Sequence, residues 1–126
     1  ADATARAVRN RGIRNIGLLG TSFTMEEAFY KGRLMEKHNL SVMVPDDEER
    51  ELINRVIYEE LVLGILKPES RAAFVDVIQS LSDRGARGVI LGCTEIALLI
   101  KPNDSPLVTF DTTYLHAMAA VDFALA

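Results

Sequence analysis

The sequence has a single cysteine, no excess of basic residues and no long apolar run. Its 14 Lys and Arg stand against 18 Asp and Glu, so the net charge is −4, which argues against a nucleic-acid or anionic-membrane partner. No apolar run approaches the ~20 residues of a membrane span, and no segment resembles a signal peptide. One cysteine excludes an internal disulfide, and no cluster has metal-ligand spacing. We therefore expect a cytoplasmic protein in a reducing compartment, without a metal site.

The chain has the length of one domain. Its 126 residues fall within the common domain size of roughly 100–150 residues. With 48% hydrophobic and 25% charged residues, its composition is typical of a globular protein. The sequence opens on helix-like residues, Ala1–Thr4, without an initiator methionine. We expect a processed protein or a piece of a longer one.

Short apolar segments alternate with amphipathic segments along the chain. The apolar segments predict strands over residues 15–20, 40–44, 88–92 and 107–110. The amphipathic segments predict helices over residues 3–10, 24–38, 46–64, 68–85 and 112–125. Such alternation indicates a parallel sheet covered on both faces. The predicted fold is therefore an α/β three-layer sandwich around a four-stranded parallel sheet.

Local signals place the helix termini and the two histidines. Thr24, followed three residues later by Glu27, matches a capping box and predicts that a helix starts there. Asp111 is interpreted as a helix cap in preference to a cleft residue. His38 and His116 are interpreted as a solvated helix end and a packing residue, without a catalytic role.

Cys93 follows the third predicted strand, at the edge of the sheet where α/β proteins bind ligands. A thiol at a helix N-terminus has a lowered pKa, so Cys93 is a candidate nucleophile or base. In the alternative interpretation Cys93 is a small buried hydrophobe, while Thr94 and Glu95 are an ordinary cap and first-turn acid. The residues alone leave both interpretations open.

A resemblance to a known family bears on this choice. The run Gly92-Cys93-Thr94-Glu95-Ile96, preceded by Arg87–Leu91, resembles the second catalytic motif of the aspartate/glutamate racemase family. The segment Ile16–Thr21 with Thr24 resembles the strand and threonine loop that open the family's second domain. Two further segments resemble the family in the same order along the chain, namely Ile57–Glu60 and Phe110–Thr112.

The resemblance implies a fold of two similar flavodoxin-like α/β lobes with the active site in the cleft between them. It implies that residues 1–111 form the second, C-terminal lobe and that residues 112–126 form a terminal helix packed on the first lobe. The apolar face of that helix would lack its partner in this chain, so we expect a homodimer or larger oligomer. We also expect the lobe alone to be inactive or nearly so.

The resemblance also implies the reaction and the site. It implies a cofactor-independent racemisation of aspartate or glutamate, in which two groups transfer a proton on opposite faces of the α-carbon. Cys93 would be one of these groups, and Thr94 with adjacent amides would bind the α-carboxylate. Thr21 and Thr24 would contact the substrate or order the cleft, and Glu95 would orient the site or modulate protonation.

Two alternatives qualify this prediction, and one departure from the family pattern bears on the substrate. The wider superfamily includes decarboxylases and isomerases, so an arylmalonate decarboxylase-, maleate isomerase- or hydantoin racemase-like activity is the first alternative. A non-enzymatic flavodoxin-like module with a structural Cys93 is the alternative from another class. Where some aspartate racemases carry a lysine, this chain has Leu61–Leu63, which leaves the preference for a short diacid open.

Overall fold

The computed structural model describes residues 2–26, 32, 35, 39–113, 115 and 118. The strands are β1 (Asn15–Leu19), β2 (Ser41–Met43), β3 (Gly88–Leu91) and β4 (Val108–Asp111). The helices are α1 (Asp2–Asn10), α2 (described over Ser22–Glu26), α3 (Asp47–Glu59), α4 (Pro68–Asp83) and α5 (Ile96–Leu99). Two 3₁₀ turns span Leu61–Leu63 and Pro102–Asp104. Glu27, His38, His116 and most of the predicted terminal helix lie outside the described residues.

The four strands form one parallel sheet in the order β2-β1-β3-β4. In this order β2 lies on one side of β1, and β3 and β4 lie on the other side. This is the order of a doubly wound flavodoxin-like sheet. The predicted α/β class is therefore confirmed. The described strands differ from the predicted ones only at their ends, because β2 is shorter and β4 extends by one residue to Asp111.

Alternating strand residues build a separate core on each face of the sheet. On one face Leu19, Val89 and Leu91 pack with buried side chains of α3 and α4. On the other face Ile16, Leu18 and Ile90 pack with buried side chains of α1. Each fully buried large apolar side chain contributes about 1.5–3 kcal/mol. Both faces are covered, so the three predicted layers are present.

Sequence signals mark the start of the two long helices, α3 and α4, and the structure corrects the predicted end of α3. Asp46 caps α3 in a capping box, in which its side chain accepts from the amide of Glu49 at 2.9 Å and its own amide donates to Glu49 Oε1 at 3.1 Å. Pro68 opens α4, where a missing amide hydrogen costs nothing. The prediction that α3 continues to Gly64 is wrong, because the α-helix ends at Glu59 and tightens into the Leu61–Leu63 turn.

Large apolar side chains are exposed just after α3. Val62 and Leu63 have exposed fractions of 47% and 68%, and Ile65 and Leu66 are also exposed. They lie on a turn and its following residues rather than on one face of a helix.

Among the described residues, no helix has the length and apolar character needed to cross a membrane.

Candidate active site

Three turns leave the sheet together at its carboxyl edge. Leu19 at the end of β1 pairs with Leu91 at the end of β3, and Leu91 pairs with Asp111 at the end of β4. Because the strands are parallel and end at the same level, the segments that follow them lie side by side. The segments that follow β1, β3 and β4, residues 21–24, 92–95 and 111–113, therefore meet at one edge.

The Cys93 turn is pressed against the end of β1. The amide of Gly92 donates to the carbonyl of Leu19 at 2.7 Å. A Cβ at position 92 would lie 2.9 Å from that same carbonyl oxygen, a distance that real Cβ atoms do not tolerate. Only glycine fits this close approach of two backbones, and it fixes the peptide that precedes the thiol.

The thiol of Cys93 donates a hydrogen bond to Glu95 Oε2 at 2.9 Å. Partial burial raises the pKa of Cys93 to about 11, with the hydrogen bond and the charge of Glu95 adding to the rise. The amides of Glu95 and Ile96 act in the opposite direction on this pKa, as the helix N-terminus argument predicts. Their effect on the pKa is smaller than that of burial, which is the largest cause of the shift. The predicted lowering of the thiol pKa is therefore wrong.

Glu95 is the acceptor of this pair. Its pKa is lowered chiefly because its carboxylate accepts the hydrogen bond from the thiol. It occupies the N-cap position of α5, yet its side chain makes no capping hydrogen bond. At neutral pH the pair therefore consists of a protonated thiol and an ionised carboxylate. In the alternative interpretation Thr94 is the cap and Glu95 the first-turn acid, whereas in the structure Glu95 itself stands at the N-cap position.

Threonine hydroxyls link the Cys93 turn to the end of β4. Thr94 Oγ1 lies 2.9 Å from Thr113 Oγ1, and both residues are exposed. Thr112 Oγ1 donates to the carbonyl of Leu91 at 3.1 Å. Asp111 accepts from the amide of Thr113 at 3.0 Å, which confirms its predicted role as a cap.

The Thr21–Thr24 loop approaches the same turn from β1. Thr21 Oγ1 accepts from the amide of Thr24 at 3.3 Å, and the carbonyl of Thr21 accepts from the amide of Met25 at 2.9 Å. Thr21 is thus the N-cap of α2, and the prediction that the helix starts at Thr24 is wrong by one turn. The methyl group of Thr24 faces Gly92, where a Cβ would meet it at 3.3 Å.

Asn54 holds this loop from α3 and was not predicted. Its Oδ1 accepts from the amide of Ser22 at 2.7 Å. In the sequence Asn54 is only a polar residue beside the apolar stripe of α3, so no local signal marks it. Its role arises from the contact between α2 and α3, which joins residues 32 positions apart.

Two other features of the surface offer less chemistry. Among the described residues, no three His, Cys, Asp or Glu side chains lie close enough to hold a metal ion. A groove of about 330 Å³ lies between α3 and α4, and its carboxylate Glu60 already accepts from Ser70 Oγ at 2.6 Å.

The carboxyl edge of a parallel α/β sheet is where ligands bind, and the thiol and carboxylate paired there are both groups that can transfer protons. A family model described as Asp/Glu/Hydantoin racemase matches residues 1–120. The chain belongs to this racemase family.

Relatives of known structure agree with this membership. A crystal structure from Yersinia pestis, provisionally described as an Asp/Glu racemase, is 54% identical, covers 100% of this chain and 55% of that one, and gives a TM-score of 0.96. An aspartate racemase homologue from Pyrococcus horikoshii OT3 is 40% identical over 99% of this chain and 54% of that one, with a TM-score of 0.91. The chain thus spans about half the length of these two relatives.

A curated relative is more distant. An uncharacterised protein of the pnlA 3′ region of Pectobacterium carotovorum subsp. carotovorum is 27% identical over 104 residues. The match covers 79% of this chain and 65% of that protein. Its description adds no function to the family membership.

Proposed function

We propose that this chain supplies one of the two proton-transfer groups of a cofactor-independent amino-acid racemase that acts on aspartate or glutamate. The observation that carries the proposal is the hydrogen bond between the Cys93 thiol and the Glu95 carboxylate at the carboxyl edge of the sheet. In this proposal residues 1–111 form one lobe and a companion lobe supplies the opposing group. Residues 112–126 remain the segment that would reach the companion lobe, although Thr112, Thr113 and Leu115 contact the first lobe.

Cys93 acts as an acid in one direction of the reaction. The S–H bond breaks, the proton goes to the carbanion-like α-carbon, and the thiolate remains. The resting thiol is suited to this step because its pKa of about 11 keeps it protonated at neutral pH. Its hydrogen bond to Glu95 also fixes the direction of the S–H group.

In the other direction the thiolate of Cys93 removes the α-proton. A thiolate whose conjugate acid has a raised pKa is a strong base, which suits a weakly acidic C–H bond. The α-ammonium group of a bound amino acid would lower the thiol pKa by supplying a nearby positive charge. The amides of Glu95 and Ile96, which already lower this pKa, would stabilise the thiolate further.

The threonines supply binding and shape. Thr94 is exposed beside the thiol, so its hydroxyl can donate to the substrate α-carboxylate, on which charge develops as the α-proton leaves. Thr24 contacts the turn through Gly92 and would shape the site from the β1 side. Thr21 caps α2 and accepts from the amide of Thr24. We therefore assign Thr21 to ordering the site rather than to a direct contact with the substrate.

One observation favours a second candidate. A raised thiol pKa is also expected of a structural cysteine, as in a non-enzymatic flavodoxin-like module. However, Cys93 is only partly buried, and its partner is an ionised carboxylate rather than the apolar core. This second candidate therefore ranks behind the racemase.

The test is racemisation by the protein that contains both lobes, followed by chiral chromatography of aspartate and of glutamate. Cys93→Ala should lower the rate by about 10²–10⁴-fold, the usual contribution of a positioned acid or base. Thr109→Val, a matched change on β4 at the level of Val89, should leave the rate within twofold. A Cys93→Ala protein that racemises at the unsubstituted rate would contradict the proposal and favour the structural cysteine.

A further inference from the structure

The peptide unit that joins Leu91 to Gly92 is held from both neighbouring strands. Its N–H donates to the carbonyl of Leu19 at the end of β1, at 2.7 Å. Its C=O accepts from the hydroxyl of Thr112, just after β4, at 3.1 Å. A peptide unit held through both polar groups cannot rotate about its flanking bonds without losing a hydrogen bond, so the backbone is anchored up to Gly92, the residue directly before Cys93.

The hydrogen bond from Thr112 is not part of the regular ladder. The register pairs Leu91 with Asp111, and the side-chain hydroxyl of the following residue, Thr112, donates to the Leu91 carbonyl. Thr112 is also the first residue after β4, where Asp111 caps the turn. The hydroxyl is therefore held in place by a capped turn.

A second contact fixes the other side of the thiol. Thr113 Oγ1 lies 2.9 Å from Thr94 Oγ1, so consecutive threonines after β4 contact the residues on both sides of the Gly92-Cys93 pair. Neither threonine touches the sulfur. Both act on the backbone and side chains that carry it.

We propose that Thr112 is a positioning residue for Cys93, acting through the Leu91 carbonyl, with Thr113 as a weaker second support. The inference deepens the proposed racemase function and rests on it for its catalytic meaning. Without the Thr112 hydroxyl the turn loses one of its two anchors, the Cys93–Glu95 geometry loosens, and the thiol gains solvent. Thr112 itself moves no proton.

The test uses the fact that Cys93 is the only cysteine of the chain. The second-order rate of alkylation by iodoacetamide, measured against pH, reports the thiolate fraction and the accessibility of this one sulfur. Thr112→Val removes the hydroxyl at nearly constant volume, and Thr112→Ser retains it. Thr109→Val, the same substitution at a half-buried position of β4, is the control.

Thr112→Val should raise the alkylation rate at pH 8 by about tenfold, which corresponds to a fall of one unit in the apparent thiol pKa. Thr112→Ser and Thr109→Val should stay within twofold of the unsubstituted chain. Equal rates for Thr112→Val and Thr109→Val, or a Thr112→Ser change as large as that of Thr112→Val, would overturn the proposal. If Thr112→Val fails to fold, Thr113→Val decides by the same measurement, with an expected rise of about threefold and no rise as the contradicting result.

The two proposals fail separately, because alkylation requires neither substrate nor a companion lobe. In the racemase, Thr112→Val should lower kcat with little change in KM, and Thr112→Ser should restore kcat. A protein in which Cys93→Ala keeps full activity would remove the proposed reaction and leave the alkylation result intact. Normal alkylation of Thr112→Val would remove the positioning role and leave the reaction intact.

Discussion

The ends of β1 and β3 are similar in sequence and different in what their polar side chains do. Both strands are buried and apolar and lead into a glycine, Gly20 or Gly92, followed by polar residues. After β1 the hydroxyl of Thr21 accepts from an amide in the first turn of α2. After β3 the side chain of Glu95 leaves the amides of α5 uncapped and accepts from Cys93 instead.

We interpret this difference in capping as the difference between a structural turn after β1 and a turn after β3 that is available for function. Capping satisfies amides that would otherwise lack a partner, and it contributes about 1 kcal/mol to stability. A turn that omits its cap gives up this contribution and keeps its side chains available to another molecule. Local rules of this kind are most often broken at functional sites. On this criterion we propose that the β3 turn is the reactive one and that the β1 turn supports it.

The two glycines provide the largest expected contrast. Gly92→Ala places a Cβ 2.9 Å from the Leu19 carbonyl, and a backbone atom can yield only if the strands separate. We expect a loss of about 1–3 kcal/mol in the free energy of unfolding. Gly20→Ala meets only the side chain of Thr24, at 3.1 Å, and should cost less than about 1 kcal/mol because the unfolded chain also loses entropy.

Urea denaturation of the two glycine variants measures this contrast. Equal losses at both positions would show that the close approach at Gly92 does not control the turn. A larger loss for Gly20→Ala would reverse the assignment of the two ends.

Removing the charge of Glu95 should change the thiol in a defined direction. The carboxylate raises the pKa of Cys93 by accepting its proton in a hydrogen bond and by its charge, so Glu95→Gln should lower this pKa from about 11 toward the usual thiol value. Each unit of decrease raises the thiolate fraction, and hence the alkylation rate near pH 8, about tenfold. Glu48→Gln, an exposed change in the first turn of α3, should have no effect.

The pH dependence of iodoacetamide alkylation gives this pKa directly. An unchanged profile in Glu95→Gln would mean that burial alone sets the thiol pKa. The carboxylate would then have no part in the chemistry of Cys93.

Paired threonine substitutions should give the smallest and most selective effects. Thr21→Val removes the cap of α2 and should lower stability by about 1 kcal/mol. Thr94→Val removes an exposed hydroxyl and should change stability by less than about 0.5 kcal/mol, while it raises KM for the amino acid. Thermal unfolding and steady-state kinetics of both variants check this division. A stable Thr21→Val chain with a raised KM would place Thr21 in substrate binding.

Sequence patterns predict the sheet and its layers well because alternation and helical spacing are local. The buried strand Gly88–Leu91 and the apolar stripe of α3 illustrate this, since a few neighbouring residues are enough to predict each of them. The N-cap of α2 is Thr21 and not the predicted Thr24, because Thr24 with Glu27 matches a capping box in the sequence and Thr21 does not. Only the hydrogen bonds in the structure distinguish them.

Other features depend on contacts between distant segments. The sign of the Cys93 pKa shift follows from burial by several elements and from the rotamer of Glu95, neither of which the sequence specifies. The anchor from Thr112 to Leu91 joins positions 21 residues apart, across two strands. The candidate site could thus be located from the sequence, while its internal hydrogen bonds could not.

The central claim is that Cys93 transfers a proton on one face of the α-carbon. Exchange of the α-proton in deuterated water, followed by NMR for each enantiomer separately, tests it most directly in the protein with both lobes. For Cys93→Ala we predict that exchange of one enantiomer falls by about 10²-fold or more and that interconversion of the two enantiomers is lost. Exchange of both enantiomers at the unsubstituted rate would contradict the claim.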